Sequence, residues 1–440
     1  MPSELLSPAG SLRNMRYAFA YGADAVYAGQ PRYSLRVRNN EFKDLETLAT
    51  GINEAHALGK QFYLASNVSP HNNKVRSYIR DLEPVVELGP DALIMADPGL
   101  MMLVRERWPD LPIHLSVQAN AVNWATVKFW YQNGIRRVIL SRELSLDEIE
   151  EIRQRVPEME LEVFVHGALC IAYSGRCLLS GYMNHRDPNQ GACTNACRWE
   201  YQAHEAKEDE TGDLIAVQSF EPEPAAEPGP VLLQQAQRPG EYMPAYEDEH
   251  GTYIMNSKDL RAVQHVAELV KMGVHSLKIE GRTKSTYYVA RTTQVYRKAI
   301  DDALAGKPFD MHMMDELEAL SNRGYTEGFL RRHVPQEYQT YEQGSSYLGT
   351  QQVVGTIADA DDRWLTIDVK NKFAPGDQLE LITPAGNLRF SANTMENRHG
   401  EAMECAPGSG HIVKIPKPAN VPEKLDFTYL TKIFPENAGR

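Results

Sequence analysis

The feature that most limits the possible fold is a strand–helix pattern that repeats from residue 4 to about residue 280. Short apolar, β-branched or aromatic runs alternate with amphipathic stretches, and each run ends in polar residues or glycine. The runs are Leu5–Leu6, Ala25–Ala28, Phe62–Ala65, Ala92–Met95, Ile113–Val117, Val138–Leu140, Leu161–Val165 and Ser276–Ile279. Such runs are typical of a buried parallel sheet. Their number predicts an α/β fold, a TIM-like (β/α)8 barrel, although the crossover rule alone does not exclude an open sheet.

The stretches between these runs have helical periodicity. We predict helices at Ser11–Tyr21, Leu45–Leu58, Trp124–Gln132 and Leu146–Arg155, the last beginning with a Ser145/Glu148 capping box. Further on, Thr283–Gly306 is predicted to be a long helix and Met311–Arg332 a second helical region. The apolar run Thr252–Met255 is a candidate ninth strand, which leaves the strand count open.

Two changes along the sequence, one in composition and one in the spacing of apolar residues, indicate the domain organisation. Residues 202–250 are acidic and rich in proline, which favours an inserted surface excursion. From Gly349 on, apolar and polar residues alternate in short runs that turn residues separate. The runs are Val353–Ile357, Trp364–Val369, Gln378–Ile382 and Asn387–Ser391. This predicts a small antiparallel β-barrel. We therefore expect a catalytic barrel over 1–340 and, over 349–435, a small β-barrel that is a candidate RNA-binding domain by analogy alone.

Charge and hydropathy limit the cellular compartments and the binding partners that we expect for this chain. The 440 residues carry a net charge of −13, which opposes nonspecific nucleic-acid binding but permits a local basic patch. The N-terminal residues lack a basic and apolar leader, and no stretch has the roughly twenty apolar residues of a membrane span. We expect a cytoplasmic protein without a membrane partner, in which thiols stay reduced.

Four of the five cysteines lie in the segment 166–200, and Cys405 lies apart from them. Clustered thiolates bind zinc or an iron–sulfur cluster, or form disulfides. Zinc sites favour two tight cysteine pairs, but only Cys193 and Cys197 are tightly spaced here, while six residues separate Cys170 from Cys177. The spacing favours a cluster over zinc, and buried inert thiols are a fourth interpretation.

In a parallel barrel the reactive groups gather at the carboxyl ends of the strands. Those ends supply candidate catalytic residues, His166, Glu280 and Asp97, and candidate binding residues, Gln118, Asn120, Arg142 and Arg282. Each has a structural alternative. Asp97 could cap a helix, the two amides could satisfy neighbouring backbone groups, and the charged residues could form ion pairs. His166 could be a packed histidine.

Several motifs together resemble peptidase family U32 over nearly the whole chain. They are LLSPAG, GADAVYAG, HGALC followed by SGRC, RDPNQG followed by CRWEY, and SLKIEGR. The resemblance implies an iron–sulfur cluster, of the 4Fe-4S type, on Cys170, Cys177, Cys193 and Cys197. It also implies prephenate as co-substrate and formation of 5-hydroxyuridine at the wobble position, U34, of tRNA.

On that interpretation, arginines would bind the two carboxylates of prephenate, with Arg142, Arg176 and Arg282 as candidates. Arg36 and Arg38, which lie close to Tyr33 in the sequence, would contact the anticodon loop. An electron donor or cluster-assembly proteins would be further partners.

Two other functions stay open at this point. A U32-type peptidase is one, although the chain has no HExxH or G-x-S-x-G motif, and a cluster-bound thiol is a poor nucleophile. A zinc-stapled, non-catalytic RNA-binding protein is the other. Sister activities of the family, on ribosomal RNA or in quinone hydroxylation, are further alternatives within the resemblance.

Overall fold

The computed structural model describes residues 2–35, 40–169, 173, 206–208, 214–216, 231–234, 242–248, 251–253, 258–322, 324–331 and 351–434. The four clustered cysteines, Arg36, Arg38, Arg176 and most of the predicted insertion 202–250 lie outside the described residues.

The described strands fall into a barrel, short hairpins and a C-terminal sheet. In chain order they are β1 Glu4–Pro8, β2 Ala25–Gly29, β3 Gln61–Ser66, β4 Ala92–Met95, β5 Ile113–Leu115, β6 Arg137–Ile139, β7 Glu160–Ala168, β8 Ala206–Glu208, β9 Leu214–Ala216, β10 Val231–Gln234, β11 Tyr242–Asp248, β12 Gly251–Tyr253, β13 Asp259–Arg261, β14 Ser276–Ile279, β15 Tyr325–Thr326, β16 Gln351–Ala360, β17 Trp364–Val369, β18 Gln378–Thr383, β19 Gly386–Ser391, β20 Glu396–Asn397, β21 Ile412–Pro416 and β22 Tyr429–Ile433.

Strands β1 to β7 and β14 form a closed parallel barrel. Each of β1 to β6 pairs in parallel with the next, and β14 pairs in parallel with both β1 and β7, which closes the ring. All eight predicted strands are therefore confirmed, and so is the choice of a barrel over an open sheet. The carboxyl ends of the eight strands lie on one face, where the candidate site is found.

Helices follow most of the barrel strands and cover the outside of the ring. They are α1 Leu12–Ala20, α2 Leu45–Ala57, α3 Asn72–Val86, α4 Pro98–Arg107, α5 Trp124–Gln132, α6 Leu146–Arg155, α7 Val266–Met272, α8 Thr286–Leu304 and α9 His312–Glu318. The predicted capping box is present at α6, where Ser145 and Glu148 satisfy each other's backbone N–H groups. None of the described helices is long and apolar enough to cross a membrane.

Two predictions near residues 250–330 are wrong in their extent. The helical region predicted over Met311–Arg332 ends at Glu318, because Asn322 donates to the Leu320 carbonyl and accepts from the N–H of Gly324, which has a φ of 73°. The barrel sheet gains two further strands, β13, which pairs antiparallel with the end of β7, and β15, which pairs in parallel with β13. The described part of the run Thr252–Met255 is in neither of them. Strand β12 belongs to a hairpin with β11.

The C-terminal residues form the expected antiparallel structure. Seven strands pair in the order β19-β18-β22-β16-β17-β21-β20 around an apolar core that includes Val354, Leu365 and Leu430. In the described part of the chain, the edge strands β19 and β20 are not paired with each other. The sheet contacts the barrel through an aromatic cluster in which Tyr17 packs on Phe427 and Tyr429.

Candidate active site at the carboxyl end of the barrel

A cavity of about 160 Å³ opens at the carboxyl end of the barrel strands. Its lining combines apolar side chains with groups that recognise anions. The lining residues are Tyr27, Leu35, Ala65, Asn67, Ile94, Ser116, Val117, Gln118, Ile139, Arg142, Phe164, Ala168, Lys278, Glu280 and Arg282. Of the binding residues predicted from the sequence, Gln118, Arg142 and Arg282 line this cavity, and so does the catalytic candidate Glu280. A small apolar cavity with a few convergent polar groups is the usual form of a ligand site.

Cations and aromatic rings alternate along one side of the cavity. The guanidinium carbon of Arg142 lies 3.9 Å from the centroid of the Phe164 ring, and the Lys278 ammonium lies 5.4 Å from the same centroid. That ammonium is also 4.2 Å from the centroid of the Tyr27 ring, which the Arg282 guanidinium approaches to 5.7 Å. Two rings thus hold three cations in one row by cation–π contact. The row gives the cavity a positive wall that suits an anionic ligand.

A network of buried charges lies below the cavity, where TIM barrels usually have branched apolar side chains. Glu162 is fully buried and accepts from the Lys278 ammonium at 2.7 Å and from Arg137 at 3.5 Å. Arg137 also donates to Glu4 at 2.7 Å and to Glu160 at 3.0 Å. Because each charge has an opposite partner, the network is tolerated inside the barrel, and removing one partner would leave the other buried and uncompensated.

Two buried donors at the cavity have no hydrogen-bond partner within the described residues. They are Nε of Arg142 and Nε2 of Gln118, a residue only 9% exposed. The remaining contacts hold both side chains in place, since Arg142 donates to the Ala168 carbonyl at 3.0 Å and the Ser116 hydroxyl donates to Oε1 of Gln118 at 3.2 Å. A buried donor left without an acceptor is costly. The pair is therefore suited to bind the oxygens of a ligand.

The position of Glu280 depends on a glycine in the neighbouring strand. The Glu280 N–H donates to the His166 carbonyl at 2.8 Å, and its own carbonyl accepts from the Tyr288 hydroxyl at 2.9 Å. Gly167 has a φ of +109°, and a Cβ there would lie 2.6 Å from the Glu280 carbonyl oxygen. Only glycine allows this approach of β7 to β14. The carboxylate thus reaches the cavity through a local backbone fit.

The loop after β2 is fixed to the same rim. Arg282 donates to the Ser34 hydroxyl and to the Leu35 carbonyl, both at 2.9 Å, and the Leu35 N–H donates to Asn67 at 3.1 Å. Leu35 is the last described residue before Arg36, so the segment predicted to contact RNA begins at the cavity. Arg282 acts here as a support for the loop as well as a lining residue.

The cysteine-rich segment also begins at this rim. Ala168 lines the cavity, and Leu169 is the last described residue before Cys170. In the described part of the chain no group of three or more metal-ligating side chains occurs. The predicted ligands Cys170, Cys177, Cys193 and Cys197, and the predicted binding residues Arg36, Arg38 and Arg176, stay predictions because they lie outside the described residues.

His166 does not line the cavity. The pairing of β14 with β7 shifts by one residue after Lys278, so that Ile279 is opposite His166. Because a one-residue shift reverses the face of a side chain, His166 packs outside the ring between Tyr288, Tyr296 and Tyr325. Burial lowers the pKa of His166 to about 3, with the charges of Arg261 and Lys284 adding to the effect. The ring is therefore neutral at physiological pH.

Two other predicted residues serve the backbone. Asp97 is the N-cap of α4 and accepts from the Leu100 N–H at 2.9 Å, which agrees with the structural alternative given above. Asn120 has a left-handed backbone with a φ of 52° and donates to the Gln118 carbonyl at 2.9 Å, so it ends the short turn Val117–Ala119 that presents Gln118. Neither side chain is part of the cavity lining.

Four residues of the inner part of the site were not predicted from the sequence. Lys278, Glu162, Tyr27 and Phe164 lie within strands whose sequences are mostly apolar, and their side chains face the inside of the barrel. A signal was present, because a charged residue in the middle of a buried strand, such as Lys278 in SLKIEGR, needs a buried partner.

Comparison with known proteins agrees with the fold and defines its class. Residues 10–340 match peptidase family U32, and residues 349–426 match the peptidase family U32 C-terminal domain. The chain is 66% identical to tRNA hydroxylation protein P of Escherichia coli, over 97% of this chain and 95% of that one. It is 61% identical to the protein of the same name from Haemophilus influenzae, with the same coverage of both chains.

A more distant relative is the 23S rRNA 5-hydroxycytidine C2501 synthase of Escherichia coli, which is 29% identical over 89% of this chain and 54% of that one. The fold and the cavity define a TIM-like barrel protein with a cavity suited to an anion at the carboxyl face. The matches place it more narrowly: the chain belongs to peptidase family U32.

Proposed function

We propose that this protein hydroxylates tRNA and forms 5-hydroxyuridine at the wobble position. Two relatives with more than 60% identity over almost their whole length are named for tRNA hydroxylation. A third is named for a pyrimidine nucleoside hydroxylated at position 5, which supports the proposed chemistry on a pyrimidine ring. The wobble base is unpaired in the anticodon loop and can turn outward into a barrel mouth.

We further propose prephenate as co-substrate and an iron–sulfur cluster on Cys170, Cys177, Cys193 and Cys197. The single observation that carries the proposal is the cavity with its row of Arg142, Lys278 and Arg282 at the rim from which the cysteine segment leaves. The N–H groups of Arg142 and Gln118 that have no partner among the described residues fit a carboxylate, and the apolar wall fits a carbon ring. A cluster bound beside the rim would supply redox chemistry that side chains lack.

In this proposal the described residues bind and orient the reactants. Arg142 and Gln118 hold carboxylate oxygens through their buried N–H groups, while Ile94 and Phe164 pack against the carbon skeleton. Glu280 is the proposed acid–base group at the rim. The C-terminal sheet, fixed to the barrel by the Tyr17 cluster, is the proposed support for the tRNA stem.

The test is mass spectrometry of tRNA nucleosides from a strain that lacks the gene. Loss of 5-hydroxyuridine and its derivatives, restored by the wild-type gene and not by Cys193→Ala, is the expected result. A matched control is Cys405→Ala, which changes the cysteine outside the cluster segment and should restore the nucleosides. Unchanged nucleosides in the deletion strain would contradict the proposal.

Metal analysis separates the cluster from a zinc staple. Protein purified without oxygen should contain iron and sulfide and absorb at about 400 nm. Colourless protein with one zinc per chain would contradict the cluster assignment and leave the tRNA assignment to the nucleoside analysis.

A further inference from the structure

The cavity contains a primary amine to which the proposed function gives a charge but no chemical step. Lys278 is 3% exposed, and its ammonium lies beside the Tyr27 and Phe164 rings with its hydrogen bond directed to Glu162 at 2.7 Å. A lysine is an unusual choice for the inside of a barrel if only an ion pair is needed, because burying both charges gains little over an apolar pair. Its position on the cavity wall gives the amine access to a bound ligand.

The surroundings favour the uncharged amine more than a surface site does. Burial lowers the pKa of Lys278, and the charges of Arg282 and Arg137 lower it further, while the Glu162 carboxylate acts in the opposite direction. A desolvated lysine near other cations is the usual form of a lysine that attacks carbonyl carbon. Glu162 lies within hydrogen-bonding distance and can take up and return the proton.

The other lining groups define which carbonyl compound would fit. Arg142 and Gln118 offer buried N–H groups to a carboxylate, and Phe164 contacts both the Arg142 guanidinium and the Lys278 ammonium. The cavity volume, about 160 Å³, is well above the ~10–15 Å³ that a single water molecule needs. The cavity has room for the oxo-acid end of a ligand, with its carboxylate at Arg142 and its carbonyl group at Lys278.

We propose that Lys278 is a catalytic residue that forms an imine with the carbonyl carbon of an oxo-carboxylate bound in this cavity. Glu162 first takes a proton from the Lys278 ammonium, and the freed Nζ lone pair forms the C–N bond while the carbonyl π bond breaks. The oxygen takes the proton from Glu162 and becomes the hydroxyl of a carbinolamine. Glu162 then takes a second proton from the nitrogen and gives it to that hydroxyl, which leaves as water while the nitrogen lone pair forms the C=N bond of a protonated imine. No oxidant or reductant is consumed. The protonated imine makes its own carbon more electrophilic and the hydrogens on the neighbouring carbon more acidic.

The inference deepens the proposed function and rests on it only in taking this cavity as the co-substrate site. The test uses the purified full-length protein with millimolar pyruvate, the simplest 2-oxo-carboxylate, and sodium borohydride. We expect one adduct per chain, heavier than the protein by pyruvic acid less one oxygen atom. Trypsin should then fail to cleave after Lys278, which identifies the modified residue.

Matched variants decide between nucleophile and ion pair. Lys278→Arg keeps the charge and should abolish trapping, whereas Lys284→Arg, on the same rim but outside the cavity lining, should leave the adduct yield unchanged. Glu162→Gln should slow trapping at least tenfold if Glu162 moves the proton. Thermal unfolding of each variant confirms that it is folded. No adduct with wild-type protein, or an equal adduct with Lys278→Arg, would overturn the inference.

The nucleoside analysis keeps the two proposals apart. If Lys278→Arg fails to restore 5-hydroxyuridine while wild-type protein traps no pyruvate, Lys278 is an ion-pair residue and only the imine is overturned. If pyruvate is trapped on Lys278 while the deletion strain keeps its tRNA nucleosides, the tRNA function is overturned and the imine stands.

Discussion

At the scale of single residues, the site depends on positions where an ordinary side chain does not fit. Gly167 is the sharpest case, since its positive φ and the 2.6 Å between an added methyl carbon and the Glu280 carbonyl oxygen both require glycine. Gly167→Ala should lower the free energy of unfolding by about 3 kcal/mol, because strain of roughly 1–2 kcal/mol adds to a clash with backbone. Urea denaturation measures this loss.

The matched control for that prediction is Gly59→Ala. Gly59 has a φ of +66° but nothing within 4 Å of the added carbon, so only the backbone strain of about 1 kcal/mol should remain. Equal losses in both variants would contradict the close approach of β7 and Glu280. If the Gly167→Ala protein is still folded but no longer restores nucleoside hydroxylation, the loss of activity would further indicate that Glu280 has moved.

At the scale of elements, the strands were predictable because a short apolar run between two amphipathic stretches indicates a buried strand wherever the βα pattern repeats. The site was predictable where it follows a strand end, as at Arg142, Glu280 and Arg282. It was not predictable at His166, because the shift in pairing between β14 and β7 depends on both strands. Asp97 was ambiguous because the residue before Pro98 serves equally well as a helix cap.

The capping box of α6 is an element-scale feature with a measurable effect. The Ser145 N–H and hydroxyl both donate to the Glu148 carboxylate at 2.9 Å, and Ser145 is 5% exposed. Ser145→Ala should cost about 1 kcal/mol of stability, whereas Ser145→Thr, which keeps the hydroxyl, should cost about half as much or less. Chemical denaturation of both variants checks the order, and equal losses would show that the hydroxyl is not the cause.

At the scale of the whole molecule, the contact between the two domains contains one hydroxyl that serves two acceptors. The Tyr21 hydroxyl, on a residue only 3% exposed, lies 2.9 Å from the carbonyls of Ile382 and of Phe427. Gln294 makes a second link, donating to the Thr383 carbonyl at 2.9 Å. The Tyr21 hydroxyl therefore holds two separate parts of the C-terminal domain against the barrel, and its removal leaves buried carbonyls without that donor.

Tyr21→Phe should weaken the contact by about 1–2 kcal/mol while keeping the ring. Because each domain has its own apolar core, the loss should appear as weaker coupling between them: calorimetry should show the C-terminal sheet unfolding at a lower temperature than the barrel. Tyr131→Phe, on a residue 41% exposed on α5, is the control and should leave the transition unchanged.

If the sheet orients tRNA over the cavity, Tyr21→Phe should also raise the KM for tRNA more than it lowers kcat. An unchanged KM with a separated transition would mean that the barrel alone binds the anticodon loop.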